Sequence, residues 1–242
     1  MLAKSSREFL MLFCKPNTVR HLGNAVLVLA AGIASIAITH AAAPGPEDLR
    51  GIYRAIPADA VLPGGKRNQG SPGDVKPTPD FAKPAEGQID SAKECFPVGP
   101  FRMMAEDRVK FEIVPQPKQV TVIFEELAHG HIRQIHLDRT PKADAPLTWQ
   151  GQAVGRWERG ALVVTTDRFN DRTWLNAQGV RHSEALRLVE QIRPIKGGIL
   201  EYTMTAEDPA ALQKPYTYKR YYQKIDEPMR DAVCILDYEE GT

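Results

Sequence analysis

Eight runs of β-branched and aromatic residues, each bounded by turn residues, follow one another from Val109 onward. They read KFEIV, QVTVIFEEL, HIRQIHLD, AVGRW, ALVVTTDRF, EALRLVEQI, ILEYTMTA and YTYKRYYQKI. Short runs of this composition are typical of β-strands. Because no helical pattern alternates with them, an α/β fold is not indicated. We therefore predict a mainly β domain over residues 109–242, built largely from consecutive hairpins.

The first hairpin that can be aligned has its turn at His129-Gly130. This alignment predicts one apolar face with an ion pair at its tip. The predicted pairs on that face are Val122 with Leu137, Phe124 with Ile135, and Glu126 with Arg133.

A second hairpin turns at Arg159-Gly160, which places Trp157 opposite Leu162. The face that carries Trp157 is the predicted core face. Hairpins with one apolar face indicate an antiparallel meander closed into a barrel, with a β-sandwich as the alternative.

The segment before these strands is rich in proline. Residues 44–117 hold 12 of the 19 prolines of the chain. Because prolines are so frequent, the segment shows neither the two-residue period of a strand nor the 3.6-residue period of a helix. We predict an irregular arm over residues 44–108 that lies on the surface of the β domain. A short first strand at 51–53 and a helical turn or two within 84–94 are the regular elements expected inside it.

An apolar stretch at residues 22–39 contains no charged residue and follows four basic residues, a pattern typical of an export signal. We predict that residues 1–43 are a cleaved signal peptide, with an uncleaved N-terminal membrane anchor as the alternative. The protein is then periplasmic or secreted, and it meets a membrane only through this segment if the segment is retained.

Removal of residues 1–43 changes the formal net charge from +1 to −2, since 31 − 4 = 27 basic residues then face 30 − 1 = 29 acidic ones. Such a balance gives no electrostatic surface for nucleic acid. Two cysteines remain, Cys95 and Cys234, and an oxidising compartment permits a disulfide between them. Two buried thiols are the alternative.

Three histidines, His129, His131 and His136, lie close together in the chain near several carboxylates. Two histidines separated by one residue share a face of a strand, which is one way to build a metal site. Because His129 falls in the predicted turn and the spacing is not specific, we predict neither a metal nor another cofactor. A polar hairpin tip is the simpler interpretation.

The segment 169–184 is a long loop between two predicted strands, and loops on a rigid β scaffold often carry function. If the protein is an enzyme, the predicted general acid or base is His182 or His136, with Glu184, Asp171 or Glu125 as its partner carboxylate. The predicted ligand contacts are Trp174, Asn170, Trp157 and Tyr218. The alternative is that the loop residues make local turn hydrogen bonds and that Trp174 plugs the barrel.

Four sequence segments carry a resemblance to known proteins: ECFPVGPFRMM, FEIVPQP, LTWQGQAVGRWERGALVVTTDRFNDRTWL and HSEALRLVE. Over residues 95–222 the chain resembles an uncharacterised family of secreted bacterial β-rich proteins. Members typically read WEGD where this chain has Trp157 to Gly160, so the charge of the turn differs. The resemblance implies export and a lipocalin- or calycin-like fold, and it implies no reaction or catalytic residue.

Three functional hypotheses follow. The first is an exported β-barrel that binds a small, partly apolar molecule in its cup, since a barrel of about eight strands has room for one such ligand. The second is an acid–base enzyme on the same barrel, a lyase, isomerase or hydratase, whose chemistry needs only two tuned groups. The third is an envelope structural or interaction protein that uses the arm as its contact surface.

Overall fold

The strand-like runs form strands that pair largely in chain order. The computed structural model describes residues 44–125, 131–140 and 144–230. The strands are β1 Gly51–Ala55, β2 Lys110–Gln116, β3 Gln119–Phe124, β4 Ile132–His136, β5 Gln152–Glu158, β6 Ala161–Asp167, β7 Arg187–Ile195, β8 Ile199–Glu207 and β9 Tyr216–Ile225. One α-helical turn, α1, spans Pro100–Met103. Short 3-10 helices occupy Pro46–Leu49, Pro63–Gly65, Pro72–Asp74, Pro79–Phe81 and Ser91–Glu94.

The sheet closes on itself because β1 pairs with both β2 and β9. The result is a closed barrel of nine strands, which confirms the predicted barrel and excludes the sandwich. The additional strand is β1, the short first strand expected inside the proline-rich arm. Every neighbouring pair is antiparallel except β4 with β5, which are parallel.

The side chains on the inward-facing side of each strand fill the barrel interior. In β8 the residues Leu200, Tyr202, Met204 and Ala206 are fully buried, while their neighbours are partly exposed. Because side chains alternate between the two faces of a strand, this pattern marks the inner face. Each large apolar side chain removed from water in this way stabilises the fold by about 1.5–3 kcal/mol.

The arm was predicted to lie on the surface of the β domain. Part of it is instead inserted into one end of the barrel. Phe101 is buried, and its ring meets that of Tyr218 edge to face at 5.2 Å. The hydroxyl of Tyr218 donates to the carbonyl of Phe101 at 2.7 Å, and that of Tyr222 donates to the carbonyl of Met104. Apolar residues at helical spacing give α1 a face that is buried more favourably than exposed.

The opposite end of the barrel is covered by the 3-10 helix Pro46–Leu49. Leu49 is fully buried, and its carbonyl accepts a hydrogen bond of 3.1 Å from the hydroxyl of Tyr53. This helix contacts both β2 and β7, two strands far apart around the barrel. Both ends of the barrel are therefore occupied by segments of the same chain.

The β3–β4 register differs from the prediction. Val122 lies opposite Arg133 rather than Leu137, so the hairpin is centred two residues before the predicted turn. The inner face itself was predicted correctly, because the shift in pairing is even. Glu125, the residue after β3, is held by β2: its backbone N–H donates to the carbonyl of Lys110, and its carboxylate pairs with the Lys110 ammonium at 2.6 Å.

The β5–β6 hairpin has the predicted register, with Trp157 opposite Leu162. Its two turn residues have positive φ angles, 48° at Arg159 and 73° at Gly160. A two-residue turn with two positive φ angles matches the twist of the flanking strands, so the local sequence determines the register.

Some predictions fall on residues that the structure does not describe. These are the signal peptide at residues 1–43, the tip residue Glu126, the turn residues His129 and Gly130, and the cysteine Cys234. The proposed pairing of Cys95 with Cys234 therefore stays a prediction. In the described part of the chain, no helix has the length and apolar character needed to cross a membrane.

Candidate functional site

Of all neighbouring strands in the barrel, β4 and β5 share the fewest paired residues. These two strands are joined through only two residue pairs, Ile135 with Ala153 and His136 with Val154. The chain reaches β5 from β4 by a crossover, and this places the two strands in parallel. Backbone groups beyond a short ladder lack a strand partner, so such a seam is open to other contacts.

Two adjacent clefts follow this seam on the outside of the barrel and share His136, Gln152 and Ala153. Their volumes are about 520 Å³ and about 350 Å³. We call the two clefts together the seam groove. Pockets that hold small molecules in proteins commonly have volumes of ~300–1,000 Å³.

An aromatic wall borders the larger cleft. The indole of Trp149 stacks on the ring of Phe96 with 4.7 Å between centroids and 6° between planes. Pro97 completes this side. Phe96 and Pro97 belong to the arm, so the arm and the β4–β5 crossover together build the wall.

Arg133 connects the groove to the barrel interior. Its guanidinium donates to the carboxylate of Glu190 through both terminal nitrogens and to the hydroxyl of Thr166 at 2.8 Å. The hydroxyl of Tyr202 donates to the same carboxylate at 2.7 Å. Among the described residues, the buried Nε of Arg133 has no hydrogen-bond partner. The buried ion pair thus fixes the part of β4 that lines the groove.

The charges of this network are set by its partners. Burial alone lowers the pKa of Arg133, but the adjacent Glu190 outweighs it and raises that pKa above its ordinary value. Burial and the negative charge of Glu190 raise the pKa of Tyr202. The guanidinium is therefore charged, and the phenol is neutral and able to donate a hydrogen bond.

His136 is the titratable side chain that the two clefts share. Partial burial and the positive charge of Arg139 lower its pKa, against the opposing influence of Asp138. The imidazole is therefore neutral at pH 7 and offers one donor and one acceptor to a ligand. Of the predicted catalytic residues, His136 is the one that lines the seam groove.

The other predicted catalytic residues do not come together as an acid–base pair. His182 is buried: its Nε2 lies 2.7 Å from the Thr173 hydroxyl, and its Nδ1 lies 3.0 Å from the Ser183 carbonyl. Glu184 and Asp171 are exposed, and neither carboxylate hydrogen-bonds His182. These contacts make His182 a bridge within the 168–186 loop.

The predicted ligand contacts are spread over the barrel. Trp157 lies at the end covered by the 3-10 helix Pro46–Leu49, and its indole N–H donates to the Pro44 carbonyl at 2.8 Å. Tyr218 is buried below α1, and Trp174 lies in the 168–186 loop. Asn170, in the same loop, donates its backbone N–H to the carbonyl of Thr148. The structure does not gather these four residues around one cavity.

The histidine group does not form a metal site in the part of the chain that the structure describes. His131 and His136 are both described, but no three His, Cys, Asp or Glu side chains lie together as metal ligands would. His129 lies outside the described residues.

The buried charged residues were missed by the sequence analysis. Glu190 lies between Leu188 and Ile192 on the inner face of β7, and Arg133 lies on the inner face of β4. A charged residue at an inward position of an alternating strand is the signal that points to such a pair. Arg133 was instead assigned to an ion pair with Glu126 at a hairpin tip.

Burial of His182 predicts a pH dependence of stability. Burial lowers the pKa of His182, although the Ser183 carbonyl and the charges of Asp208 and Asp171 act in the opposite direction. His182 then binds a proton more readily in the unfolded chain than in the folded one. The free energy of unfolding therefore falls as the pH decreases below about 6.5, by at most about 1.4 kcal/mol per pH unit.

Urea unfolding at pH 7.0 and pH 5.5 checks this expectation. The variant His182→Gln should lose less stability than the wild type between these pH values. The matched variant His136→Gln, which removes a half-buried imidazole, should change that loss by a smaller amount. An equal loss in wild type and His182→Gln would contradict the assignment.

Comparison with known proteins finds a likeness to solved structures only. No protein-family model matches the chain, and no curated protein matches it. The resemblance to a secreted bacterial family therefore stays a prediction.

Among solved structures, zebrafish ileal bile acid-binding protein complexed with cholic acid is 14% identical over 50% of this chain and 76% of its own, with a TM-score of 0.31. A point mutant of the fluorescent protein UnaG is 11% identical over 75% and 99%, with a TM-score of 0.37. A secretory abundant heat soluble protein from Ramazzottius varieornatus is 11% identical over 74% and 96%, with a TM-score of 0.34. These likenesses are too loose to assign a function.

Proposed function

We propose that this protein is an exported, lipocalin-like barrel that binds a small, partly apolar molecule, and that the molecule binds in the seam groove rather than in a central cup. The observation that carries the proposal is the two-pair seam between β4 and β5 with its two adjacent clefts. Export rests on the predicted signal segment at residues 22–39.

Packing inside the barrel argues against a central cup in this conformation. Aromatic rings contact one another across the interior, with centroid distances of 4.9 Å from Phe111 to Tyr222 and 5.9 Å from Tyr222 to Tyr202. Phe101 of the arm extends this chain of rings through Tyr218. Side chains and the inserted arm thus fill the space that a ligand would need.

The groove combines the surfaces that a partly apolar ligand requires. Trp149 gives a flat apolar wall, and Ala145 and Val154 line the smaller cleft. His136 and Gln152 add polar groups at the junction of the clefts. Small-molecule sites typically combine a mostly apolar lining with a few placed polar groups.

Filling the groove with a side chain tests the proposal. Gln134 is exposed on β4, lines the larger cleft and makes no side-chain hydrogen bond to the described residues, so Gln134→Trp should fold normally. Titration with the neutral apolar dye Nile red should give a Kd at least about tenfold higher than in the wild type, a loss of about 1.4 kcal/mol.

The matched control is Gln191→Trp, which places the same substitution on an exposed position of β7 outside both clefts. It should bind the dye like the wild type. Equal affinity of Gln134→Trp and wild type would reject the seam groove as the site.

A further inference from the structure

The polar side chains of the larger cleft of the seam groove are uncharged. Three glutamines line it, Gln134, Gln150 and Gln152, together with Thr148. Among the described residues that line this cleft, Arg133 is the one with a formal charge, and its guanidinium is 3% exposed and paired with Glu190. A charged ligand group would lose hydration in this cleft without gaining a counter-charge, which is unfavourable.

The remaining titratable group of the larger cleft is His136, whose lowered pKa leaves its imidazole neutral at pH 7. A neutral imidazole offers one donor and one acceptor but no charge. The larger cleft therefore favours an uncharged ligand group that forms hydrogen bonds.

The hydrogen bonds already made in the cleft show which atoms are left for a ligand. The amide nitrogen of Gln150 donates to the carbonyl of Ile132 at 3.4 Å, and that of Gln152 donates to the carbonyl of Pro146 at 3.3 Å. Because a carbonyl can only accept, these contacts fix the orientation of both amides. Their Oε1 atoms make no hydrogen bond to the described residues and are left as acceptors.

Gln134 adds a complete amide to this set. It is exposed on β4, and neither its oxygen nor its nitrogen is hydrogen-bonded to a described residue. Acceptors thus predominate among the free polar atoms of the three glutamines, so a matching ligand must donate hydrogen bonds. A hydroxyl group donates and also accepts, whereas a carboxylate can only accept and a quaternary ammonium does neither.

An aromatic ring lies among these amides. Trp149, between Thr148 and Gln150 in the chain, lines the larger cleft, and Phe96 holds its indole by stacking on it. The flat apolar surface of an indole suits the C–H face of a ring whose hydroxyl groups point outward. Aromatic surface and amide acceptors together fit a hydroxylated ring.

The smaller cleft differs from the larger one in its lining. Ala145, Pro146 and Val154 give it apolar surface. Two exposed side chains of opposite charge, Arg139 and Asp144, also line it, so their charges cancel. This cleft suits the apolar part of the same ligand.

We propose that the seam groove binds an uncharged amphiphile whose hydroxylated head group, such as a sugar ring, lies in the larger cleft against Trp149 and whose apolar chain follows the smaller cleft. This inference rests on the proposed function and names the class of ligand for the same groove.

Calorimetric titration of the full chain at pH 7 tests the head group with three probes that share an octyl or octanoyl chain: octyl β-glucoside, sodium octanoate and octyltrimethylammonium chloride. Each is used below the concentration at which it forms micelles. Octyl β-glucoside should bind at least about tenfold more tightly than either ion, a difference of about 1.4 kcal/mol. Octanoate or the ammonium binding as tightly as the glucoside would overturn the proposal.

Methionine variants test the amides, because methionine keeps the length of glutamine and removes its hydrogen-bonding groups. Gln134→Met and Gln150→Met should each raise the Kd for octyl β-glucoside about three- to tenfold, as expected for one lost hydrogen bond. Their Kd for Nile red should be unchanged. The matched control Gln191→Met, at an exposed position of β7 outside both clefts, should leave both affinities unchanged.

The two probes separate failure of this inference from failure of the proposed function. If Gln134→Trp weakens Nile red binding but neither methionine variant weakens glucoside binding, the groove stands and the hydroxylated class of ligand is rejected. If Gln134→Trp leaves the binding of both Nile red and octyl β-glucoside unchanged, the groove is rejected and this inference with it.

Discussion

Replacement of Glu190 by alanine is expected to lower the free energy of unfolding by about 3–5 kcal/mol, because the substitution leaves the buried guanidinium of Arg133 without its counter-charge. Arg133 and Glu190 are 3% and 0% exposed, so water cannot replace the lost carboxylate. The Tyr202 hydroxyl loses its acceptor in the same change. Urea unfolding monitored by circular dichroism measures the loss, which is a large share of the ~5–15 kcal/mol typical of a domain.

The matched control is Glu207→Ala, which breaks an ion pair of 3.0 Å with Arg187 on the exposed side of the barrel. Its loss should stay below about 1 kcal/mol, as is usual for pairs screened by water. The double variant Arg133→Met/Glu190→Leu should recover most of the stability, since it removes both charges. A Glu190→Ala variant as stable as Glu207→Ala would contradict the buried ion pair.

Replacement of Phe101 by alanine should have an effect of similar size, about 3–5 kcal/mol, because it leaves a cavity where the arm enters the barrel. Phe101 is 2% exposed and packs against Tyr218. The measurement is again the free energy of unfolding. Nile red binding gives a second readout, since an opened barrel end would add a site that the wild type lacks.

Phe96→Ala provides the control five residues earlier in the same arm. Phe96 is 45% exposed, so its truncation should cost less than about 1 kcal/mol. It should weaken dye binding instead, because Trp149 loses the ring on which it stacks. Equal stabilities of the two variants would show that the arm is not inserted as described.

The parts of the fold that the sequence could predict are those decided locally. Runs of β-branched and aromatic residues bounded by turn residues identified the strands, and the two residues Arg159 and Gly160 determined the register of one hairpin. The same reasoning was wrong by two residues for the β3–β4 hairpin, where Val122 lies opposite Arg133 rather than Leu137.

The candidate site was harder to predict from the sequence than the strands, because it depends on contacts between distant parts of the chain. Tyr218 and Phe101 are 117 residues apart in sequence, and Arg133 and Glu190 are 57 apart. His136 was named from the sequence, but the seam that gives it a cleft follows from the parallel pairing of β4 with β5. His182 was predicted to be catalytic because imidazole is a common general acid or base. In the structure its two ring nitrogens contact Thr173 and Ser183 of its own loop.

A crystal structure of the full chain with Nile red bound tests the central claim most directly. We predict that the dye lies along the seam between β4 and β5, in contact with Trp149 and His136, with Phe101 still inserted in the barrel. Dye bound inside the barrel against Tyr218 and Tyr222, with α1 displaced, would contradict the account.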